Sequence, residues 1–355
     1  MTAAITINGR RISADDPPYV IAEMSGNHNG DINRAFRLID AAAEAGADAV
    51  KLQTYTADTI TLDHNGPEFR ITGGLWDGRT LYDLYQEAHT PWDWHPKLFK
   101  HAKKRGITIF SSPFDDTAID FLEELDAPAY KIASFELIDH PLIARAARTG
   151  KPLIMSTGLA TVGEIEEAVA RARGAGASDI LLLHCTSGYP TPASECNLRT
   201  LPHLAATFDV AVGLSDHTLG IAVPVAAVTL GAVAIEKHFT LARADGGPDA
   251  EFSLEKEELA QMVANCRTAW EALGRIDYSL TPSEGKGRDF RRSLYVVADI
   301  AAGEPFTRHN VRSIRPGLGL EPKHLEEVMG RKAMRQVRRG EPLDWSMVAE
   351  APRRR

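Results

Sequence analysis

Short apolar runs alternate with longer amphipathic segments from residue 18 to about residue 273, and this alternation constrains the fold more than any other feature. The short runs are rich in aliphatic and β-branched residues, which is typical of buried parallel strands, and the segments between them have a helical period. Eight such strand–helix units in a chain of 355 residues predict an α/β fold, a (β/α)8 TIM barrel. The predicted strands are 19–24, 49–54, 108–112, 129–134, 153–157, 180–185, 210–214 and 233–237.

Two of the intervening helices have recognisable ends. Residues 33–45 follow Asp31, whose carboxylate suits an N-cap, and precede Gly46, a residue type that favours helix ends. Residues 162–173 follow Thr161, a second N-cap candidate.

A long insertion, residues 57–90, follows the second predicted strand and is rich in Gly, Asp and aromatic residues. Loops of this length often serve as lids or as walls of a substrate site. Aromatic residues such as Trp76 and Tyr85 are, taken singly, more often packing residues. They also suit the apolar faces and N-acetyl groups of a sugar.

A polar stretch, SLTPSEGKGRDFR, follows the last predicted unit and has the composition of a linker. It predicts a barrel domain over residues 1–278, a linker at 279–291 and a small domain at 292–355. Within the small domain, IAAGEPFTRHNV at 300–311 is echoed by VRRGEPLDWSMV at 337–348, which indicates a compact pseudo-repeat.

Composition excludes several functional classes. A formal net charge of -8 and a pI near 5.9 argue against nucleic acid or an anionic membrane as a partner. The N-terminal residues show no apolar run after their charges, so we expect a cytoplasmic protein. Three cysteines without CxxC spacing predict neither a disulfide framework nor a zinc cluster.

Every predicted strand ends in polar residues, and in a barrel of this type the catalytic groups come from those ends. One polar strand end would need no functional explanation. Their recurrence on all strands is different, because buried charges cost several kcal/mol unless ligands or partners compensate them. The residues are Glu23, Lys51, Gln53, Ser111, Ser112, Lys131, Ser134, Glu136, Ser156, Thr157, His184, Thr186, Ser187, Ser215, Asp216, His217, Glu236, Lys237 and His238.

His217 and His238 end the last two predicted strands. Neighbouring strands lie roughly 5 Å apart, so the two imidazoles could share one metal ion. Two ligands are too few for a structural zinc site but suit an open catalytic ion. The alternative is that one histidine is a hydrogen-bonded core residue.

Lysines and serines at the other strand ends suit a small phosphate ester such as phosphoenolpyruvate. Lys51 and Lys131 would supply charge, and the serine hydroxyls would supply oriented donors. A Schiff-base lysine, as in aldolases, is the competing interpretation. Lys237 could simply pair with Glu236 or another nearby carboxylate.

Glu23 and Glu136 are the candidate acid–base groups. A carboxylate among lysines is expected to stay ionised, so Glu136 could orient water or a hydroxyl without a raised pKa. An ion pair with a barrel lysine is the alternative role for Glu23.

Eight segments occur in the order and spacing of bacterial sialic acid synthases and their relatives, the nonulosonic acid synthase family. They are VIAEMSGNHNGD, AGADAVKLQTYTADT, FSSPFD, YKIASFEL, MSTGLAT, LLHCTSGYPTP, GLSDHTLG and AIEKHFT. The C-terminal segment resembles the antifreeze-like (SAF) domain of these enzymes. The resemblance implies a synthase that joins phosphoenolpyruvate to an amino-sugar aldehyde, releases phosphate and uses a divalent metal, usually Mn2+ or Mg2+.

The resemblance also assigns roles to individual residues. His217 and His238 match metal ligands, and Glu136 matches the carboxylate near the metal and the reacting water. Together with Glu136, the catalytic candidates are Glu23, which is proposed from its position at a strand end, Lys51 and Lys131. Arg315 matches an arginine that reaches the partner's active site, which implies a domain-swapped homodimer. The residues that match phosphoenolpyruvate or sugar contacts are Lys51, Lys131, Gln53, Ser134, Ser156, Ser215 and Asp249. Ser112, where some relatives have Thr, keeps the hydroxyl, and Ser187 and Tyr189 are further candidate substrate contacts.

Within the family, GGLWDGRTLYDLYQEAHTPWDWH at 73–95 closely resembles pseudaminic acid synthases. Ser187 stands where sialic acid synthases tend to have Asn, which argues against N-acetylmannosamine as the substrate. The alternatives are an N-acetylneuraminate or legionaminate synthase, a Schiff-base aldolase and a non-catalytic carbohydrate- or ice-binding protein.

Overall fold

The computed structural model describes residues 3–350 and divides the chain into two compact units. The first unit ends at Gly274 and the second begins at Arg275. The division falls a few residues before the expected end of the barrel domain at 278. A 3-10 helix, Gly285–Phe290, lies inside the stretch expected to be a linker.

The first unit contains a closed barrel of parallel strands in the order β10-β3-β4-β5-β6-β7-β8-β9, with β9 paired to β10. The strands of the described chain are β1 Ile5–Ile7, β2 Arg10–Ile12, β3 Tyr19–Glu23, β4 Ala49–Thr54, β5 Thr108–Pro113, β6 Tyr130–Ile132, β7 Leu153–Ser156, β8 Ile180–Cys185, β9 Ala211–Asp216, β10 Ala234–His238, β11 Ser293–Val296 and β12 Val311–Ile314.

Helices connect consecutive barrel strands, as the parallel order requires. They are α1 Ile32–Glu44, α2 Ala57–Ile60, α3 Leu81–Ala88, α4 His95–Arg105, α5 Asp116–Glu124, α6 His140–Ala147, α7 Val162–Gly174, α8 Thr200–Phe208, α9 Ala222–Thr229, α10 Lys256–Leu273 and, in the second unit, α11 Leu325–Val328. Their apolar faces pack on the outer side of the strands in one large core.

The predicted (β/α)8 barrel is confirmed, and the predicted strands differ from the observed ones only at their ends. The strand predicted at 210–214 extends to Asp216, whereas the one predicted at 129–134 is only Tyr130–Ile132. Asp31 caps α1 by accepting from the backbone N–H of Asn33, and Thr161 forms a capping box with Glu164 at the start of α7.

A β-hairpin, β1–β2, closes the N-terminal end of the barrel. Its isoleucines pack in one buried cluster with residues near the N-terminal ends of the barrel strands, among them Tyr19, Ala49 and Ala234. The turn contains Asn8 and Gly9, both with positive φ, which is the two-residue turn that suits strand twist. The cavity described below therefore opens at the C-terminal ends of the strands.

The second unit has its own apolar core around the antiparallel pair β11–β12. The two echoed segments meet in this core, where Ile300 and Val337 exchange backbone hydrogen bonds of 2.9 Å in both directions. The similarity of the two segments thus corresponds to a direct pairing.

Among residues 3–350, none of the helices has the length and apolar character needed to cross a lipid bilayer.

Candidate active site

A cavity of about 490 Å³ lies at the C-terminal ends of the barrel strands. This volume is within the usual range of small-molecule sites. Its polar lining comes from the strand ends and the loops that follow them. These polar residues are Ser25, Lys51, Gln53, Ser112, Lys131, Ser134, Glu136, Cys185, Ser215, His217, Glu236, His238 and Asp249.

Strand register brings the lysines and carboxylates of the cavity together. The β3–β4 register sets Glu23 beside Lys51, and the β9–β10 register sets Ser215 beside Glu236. Glu23 lies 2.6 Å from the Lys51 ammonium group, and Glu236 lies 3.6 Å from Lys51 and 3.5 Å from Lys131. One buried carboxylate therefore bridges the two lysines that line the cavity.

Electrostatics keep this cluster charged although it is buried. Burial works against charge on Glu236, but Lys131 and Lys51 outweigh it and lower the pKa of that carboxyl. Burial likewise lowers the pKa of Lys51, yet Glu23 and Glu236 raise it more, so its net pKa is raised. Burial raises the pKa of Glu23, which does not line the cavity. The raised pKa thus favours the ammonium form of Lys51, which suits an anionic ligand.

Hydroxyl groups surround the lysines. The hydroxyl of Ser112 lies 3.2 Å from the Lys51 ammonium nitrogen, and Ser215 donates to Glu236 over 3.3 Å. Ser134 accepts a 3.1 Å hydrogen bond from the backbone N–H of Gly158. A β-carbon added to Gly158 would lie 2.7 Å from the Ser134 hydroxyl and would also contact Ser187. The absence of a side chain at Gly158 therefore leaves room for these hydroxyls.

The two histidines face each other with ring centroids 5.3 Å apart. Nδ1 of His217 donates to the carbonyl of Thr186 over 3.1 Å, so the neutral ring carries its lone pair on Nε2, where a cation could bind. Burial lowers the pKa of His217, but the Cys185 sulfur and the Thr186 carbonyl raise it more, so a bound cation would have to displace a proton. Burial and neighbouring cations lower the pKa of His238 well below its ordinary value, so that imidazole is neutral, the form that binds metals.

Nδ1 of His238 is buried and makes no hydrogen bond within residues 3–350. It lies 3.7 Å from a carboxylate oxygen of Asp249. The described part of the chain contains no cluster of three or more His, Cys, Asp or Glu side chains arranged for a metal. The donor set fits an ion that keeps positions open for water and substrate.

A second polar group lies next to the histidines. Asp249 accepts from the hydroxyl of Ser25, and the amide of Gln53 donates to Glu23 over 2.9 Å and to Ser25 over 3.3 Å. Tyr189 packs between the His217 ring, 4.5 Å away, and the Trp76 ring, 5.6 Å away. These side chains offer hydrogen bonds and ring faces to a polyhydroxylated ligand.

The electrostatic prediction for Glu136 is wrong. Burial raises the pKa of this carboxyl to about 7, although Lys131 and Lys51 lower it in part. One of its oxygens is buried without a hydrogen-bond partner in the described chain. Desolvation outweighs the lysines here, because strand order alone does not reveal how far a side chain is from water.

Three of the expected site residues in the first unit do not line the cavity. Glu23 lies beneath the surface in contact with Lys51, Ser156 is fully buried with its hydroxyl unpaired among the described residues, and Ser187 lies beside Gly158. Arg315 is exposed in the second unit, directly after β12. Lys237 pairs with Asp216, so it has a structural role, as one of the alternatives held.

Sequence reasoning gave no catalytic or binding role to Glu236, which it considered only as a possible ion-pair partner of Lys237, or to the thiol of Cys185. Glu236 was recognised as a polar strand end, but its bridging position between two lysines depends on three strands at once. Cys185 lies 3.8 Å from Nδ1 of His217 and lines the cavity. The alternation of β8 was a usable signal, because it places Cys185 on the same face as Leu181 and Leu183. The strand register then sets Cys185 beside Ser215.

The insertion supplies a continuous part of the apolar lining, as expected for a substrate wall. We call this surface the apolar wall; its members are Ile60, Ile71, Trp76, Leu81, Leu84 and Tyr85. The indole N–H of Trp76 donates to the carbonyl of Pro248 over 2.9 Å, which ties the insertion to the loop that carries Asp249.

Comparisons with known proteins agree with this geometry. The NeuB family model matches residues 38–278, and the SAF domain model matches residues 291–349. The chain is 45% identical over 328 residues to a pseudaminic acid synthase of Helicobacter pylori, covering 92% of this chain and 96% of that protein. It is 39% identical to an N,N'-diacetyllegionaminic acid synthase of Campylobacter jejuni, over 91% of this chain and 97% of that one.

A solved structure, an N-acetylneuraminic acid (sialic acid) synthetase from Leptospira borgpetersenii, superposes with a TM-score of 0.72 at 33% identity. The superposition covers 81% of this chain and 95% of that one. These likenesses span both units of the chain.

Proposed function

The chain belongs to the NeuB family, and from this premise we propose that it is a transferase that makes pseudaminic acid. It would condense phosphoenolpyruvate with 2,4-diacetamido-2,4,6-trideoxy-altrose and release phosphate. The observation that carries the proposal is one cavity that holds two buried lysines and a pair of facing imidazoles. The higher identity to pseudaminic than to legionaminic acid synthases favours this sugar.

The enol phosphate ester would bind at the lysines. Lys51 and Lys131 neutralise its phosphate and carboxylate, and the hydroxyls of Ser112 and Ser134 donate hydrogen bonds. The Ser215 hydroxyl would turn from Glu236 to the ester to donate a third hydrogen bond. Because these groups are buried, each interaction is stronger than it would be in water. Glu236, which lies 3.6 Å from Lys51 and 3.5 Å from Lys131, would hold both ammonium groups in place.

His217 and His238 would hold a divalent ion, Mn2+ or Mg2+, and such an ion when bound polarises the aldehyde oxygen of the open-chain sugar. Gln53 and Asp249 are the proposed contacts to the sugar hydroxyls, with Tyr189 beside them. The protein's part is to align the two reactants, which can lower a barrier by up to about 7–11 kcal/mol.

Carbon 3 of phosphoenolpyruvate forms the new C–C bond with the aldehyde carbon, and the aldehyde oxygen becomes a hydroxyl. Water, oriented by the Glu136 carboxylate, adds to carbon 2. The C–O bond to phosphate then breaks, which leaves a 2-keto acid and inorganic phosphate. Glu23 would act through Lys51, which it contacts.

The bond that breaks can be tested in 18O-labelled water. The scheme predicts label at carbon 2 of the product and none in the released phosphate, as mass spectrometry would report. Labelled phosphate would show attack at phosphorus and would refute the scheme.

The sugar can be tested by phosphate release with Mn2+, phosphoenolpyruvate and a panel of amino sugars. We expect the highest kcat/KM with the diacetamido-trideoxy-altrose and loss of activity with EDTA. A higher value with N-acetylmannosamine or the legionaminic acid precursor would contradict the proposal. Trapping of pyruvate by borohydride would indicate an aldolase instead.

We further propose a cytoplasmic, domain-swapped homodimer in which Arg315 of each chain serves the partner's site. The support is the family resemblance and the exposure of Arg315. Mixing inactive Arg315→Ala with inactive His217→Ala subunits should restore up to about a quarter of the activity, because one site of each hybrid is intact. No recovery after verified subunit exchange would contradict the swap.

A further inference from the structure

The lining of the cavity is chemically divided. The strand ends and the loops after them contribute the lysines, serine hydroxyls and imidazoles together with a few apolar side chains such as Phe114 and Phe135. The six residues of the apolar wall all come from the insertion between β4 and α4. The proposed mechanism uses the strand ends and leaves the apolar wall without a role.

The apolar wall offers few polar atoms to a ligand. Trp76 has a single polar atom, the indole N–H, and this already donates to Pro248. The charged residues near it are engaged elsewhere: Arg79 pairs with Glu87 at 2.7 Å, and Asp77 accepts from the backbone N–H of Gly73. Apart from the Tyr85 hydroxyl, this surface can make only apolar contacts.

The apolar wall lies within reach of the far end of a sugar whose aldehyde is at the histidines. Tyr189 contacts the His217 ring on one side and the Trp76 ring on the other, so the wall begins one side chain beyond the reacting group. In an open-chain hexose, carbon 6 is the atom farthest from the aldehyde carbon. The end of the substrate that meets this surface is therefore the carbon 6 end.

We propose that the apolar wall is the specificity determinant for a 6-deoxy sugar: it receives the carbon 6 methyl group and rejects a carbon 6 hydroxyl. This inference rests on the proposed function. A hydroxyl placed against this surface would lose its hydrogen bonds to water without replacing them. A site of this kind discriminates one methyl or one added hydroxyl by about 10–200-fold in kcat/KM.

Ile71 is the best position at which to test the proposal. Its backbone is fixed by two hydrogen bonds, its N–H to Arg79 and its carbonyl from Gly78, at 2.9 and 3.0 Å. Ile71→Thr keeps the β-branched shape and adds a hydroxyl to the apolar wall. Leu81→Ser makes the same kind of change from α3.

The experiment measures kcat/KM for 2,4-diacetamido-2,4,6-trideoxy-altrose and for its 6-hydroxy analogue. Wild-type protein should prefer the deoxy sugar by about 10–200-fold. Ile71→Thr or Leu81→Ser should reduce that preference at least fivefold. Leu62→Thr is the matched control, because Leu62 belongs to the same insertion but is 64% exposed and does not line the cavity; it should keep the wild-type preference.

Equal kcat/KM for the two sugars in the wild type would overturn the inference, as would an unchanged preference in both wall variants. Neither result would affect the proposed function, since phosphate release from phosphoenolpyruvate would still be seen. If no phosphate were released with either altrose derivative, the proposed function and the role of the apolar wall would both be refuted.

Discussion

Glu136 and Gly158 show how individual residues set the chemistry of this cavity by opposite means. Glu136 carries a carboxyl whose pKa is raised to about 7 by burial, and Gly158 contributes by having no side chain among three polar neighbours. Both follow strand ends, and neither property is visible in the residue type alone. Each leads to a specific prediction.

Glu136 should give the reaction a pH dependence. The raised pKa means that the protonated form predominates below about pH 7, and only the ionised form can orient water as a base. The value of kcat should therefore rise with pH through an inflection near 7. Glu136→Gln should lower kcat at least about 100-fold and remove this inflection. Glu166→Gln, at an exposed position, should keep the wild-type kcat and the inflection. An inflection that survives in Glu136→Gln would disprove the assignment of Glu136 as the base.

Gly158→Ala should weaken binding of phosphoenolpyruvate. The added β-carbon would lie 2.7 Å from the Ser134 hydroxyl and 3.2 Å from the Cys185 sulfur. The Ser134 hydroxyl, a proposed hydrogen-bond donor to the ester, must therefore move. Loss of one hydrogen bond to a charged group corresponds to about a 10–100-fold rise in the Kd of the ester, measurable by calorimetry. In Gly163→Ala the nearest atom would lie 4.0 Å away, and binding should be unchanged. Equal affinities in the two variants would show that Gly158 is not needed.

At the level of elements, local patterns located the barrel strands and missed the hairpin β1–β2. The strands were found because short apolar runs separated by helical periods are local features. The strand ends depended on pairing: β9 continues to Asp216 because β8 pairs with it as far as Ser215 and β10 pairs with Asp216 itself. The hairpin had a usable signal, the Asn8–Gly9 turn between alternating isoleucines, but it is too short to resemble a barrel unit.

For the active site, the sequence predicts the lining residues whose position depends on strand register. It does not predict how deeply each side chain is buried. Lys51, Gln53, Ser112 and His238 line the cavity, since side chains at the C-terminal ends of parallel strands converge. Ser156 sits on an equivalent strand end but below the surface. How far each side chain projects depends on barrel tilt and on neighbouring residues, which no local pattern encodes.

The capping box of α7 should contribute measurably to stability. The Thr161 hydroxyl accepts from the backbone of Glu164, whose carboxylate accepts from the backbone of Thr161. Thr161→Ala should lower the free energy of unfolding by about 1 kcal/mol, which corresponds to a decrease in Tm of roughly 2–4 °C. Glu166→Ala, on the exposed face of the same helix, should shift Tm by less than this. Equal Tm values for Thr161→Ala and wild type would contradict the assigned role.

On the scale of the whole molecule, the chain has two separate buried cores. The barrel has apolar clusters inside and outside its strands, and the second unit has a small one that includes Phe306, Val296 and Val337. A defect in one core should therefore be felt mainly in its own unit.

Phe306→Ala should destabilise the second unit selectively. Phe306 is fully buried, and such truncations typically cost about 3–5 kcal/mol. Hydrogen exchange should speed up in residues 293–348 and stay unchanged in the barrel strands. Phe290→Ala, at a side chain that is 67% exposed in the same unit, is the control and should leave exchange as in the wild type. Faster exchange spread equally over both units would show that the cores unfold together.

The hairpin at the N-terminal end of the barrel has a kinetic consequence. Within residues 3–350 that end is filled by isoleucines, so we expect both reactants and both products to pass through the opposite end, where the cavity lies. Lys51 and Lys131 are deeply buried there, so the ester they hold must arrive before the bulkier sugar covers it. Initial velocities should accordingly show an ordered sequence with phosphoenolpyruvate first, and excess sugar should slow turnover by blocking the way in.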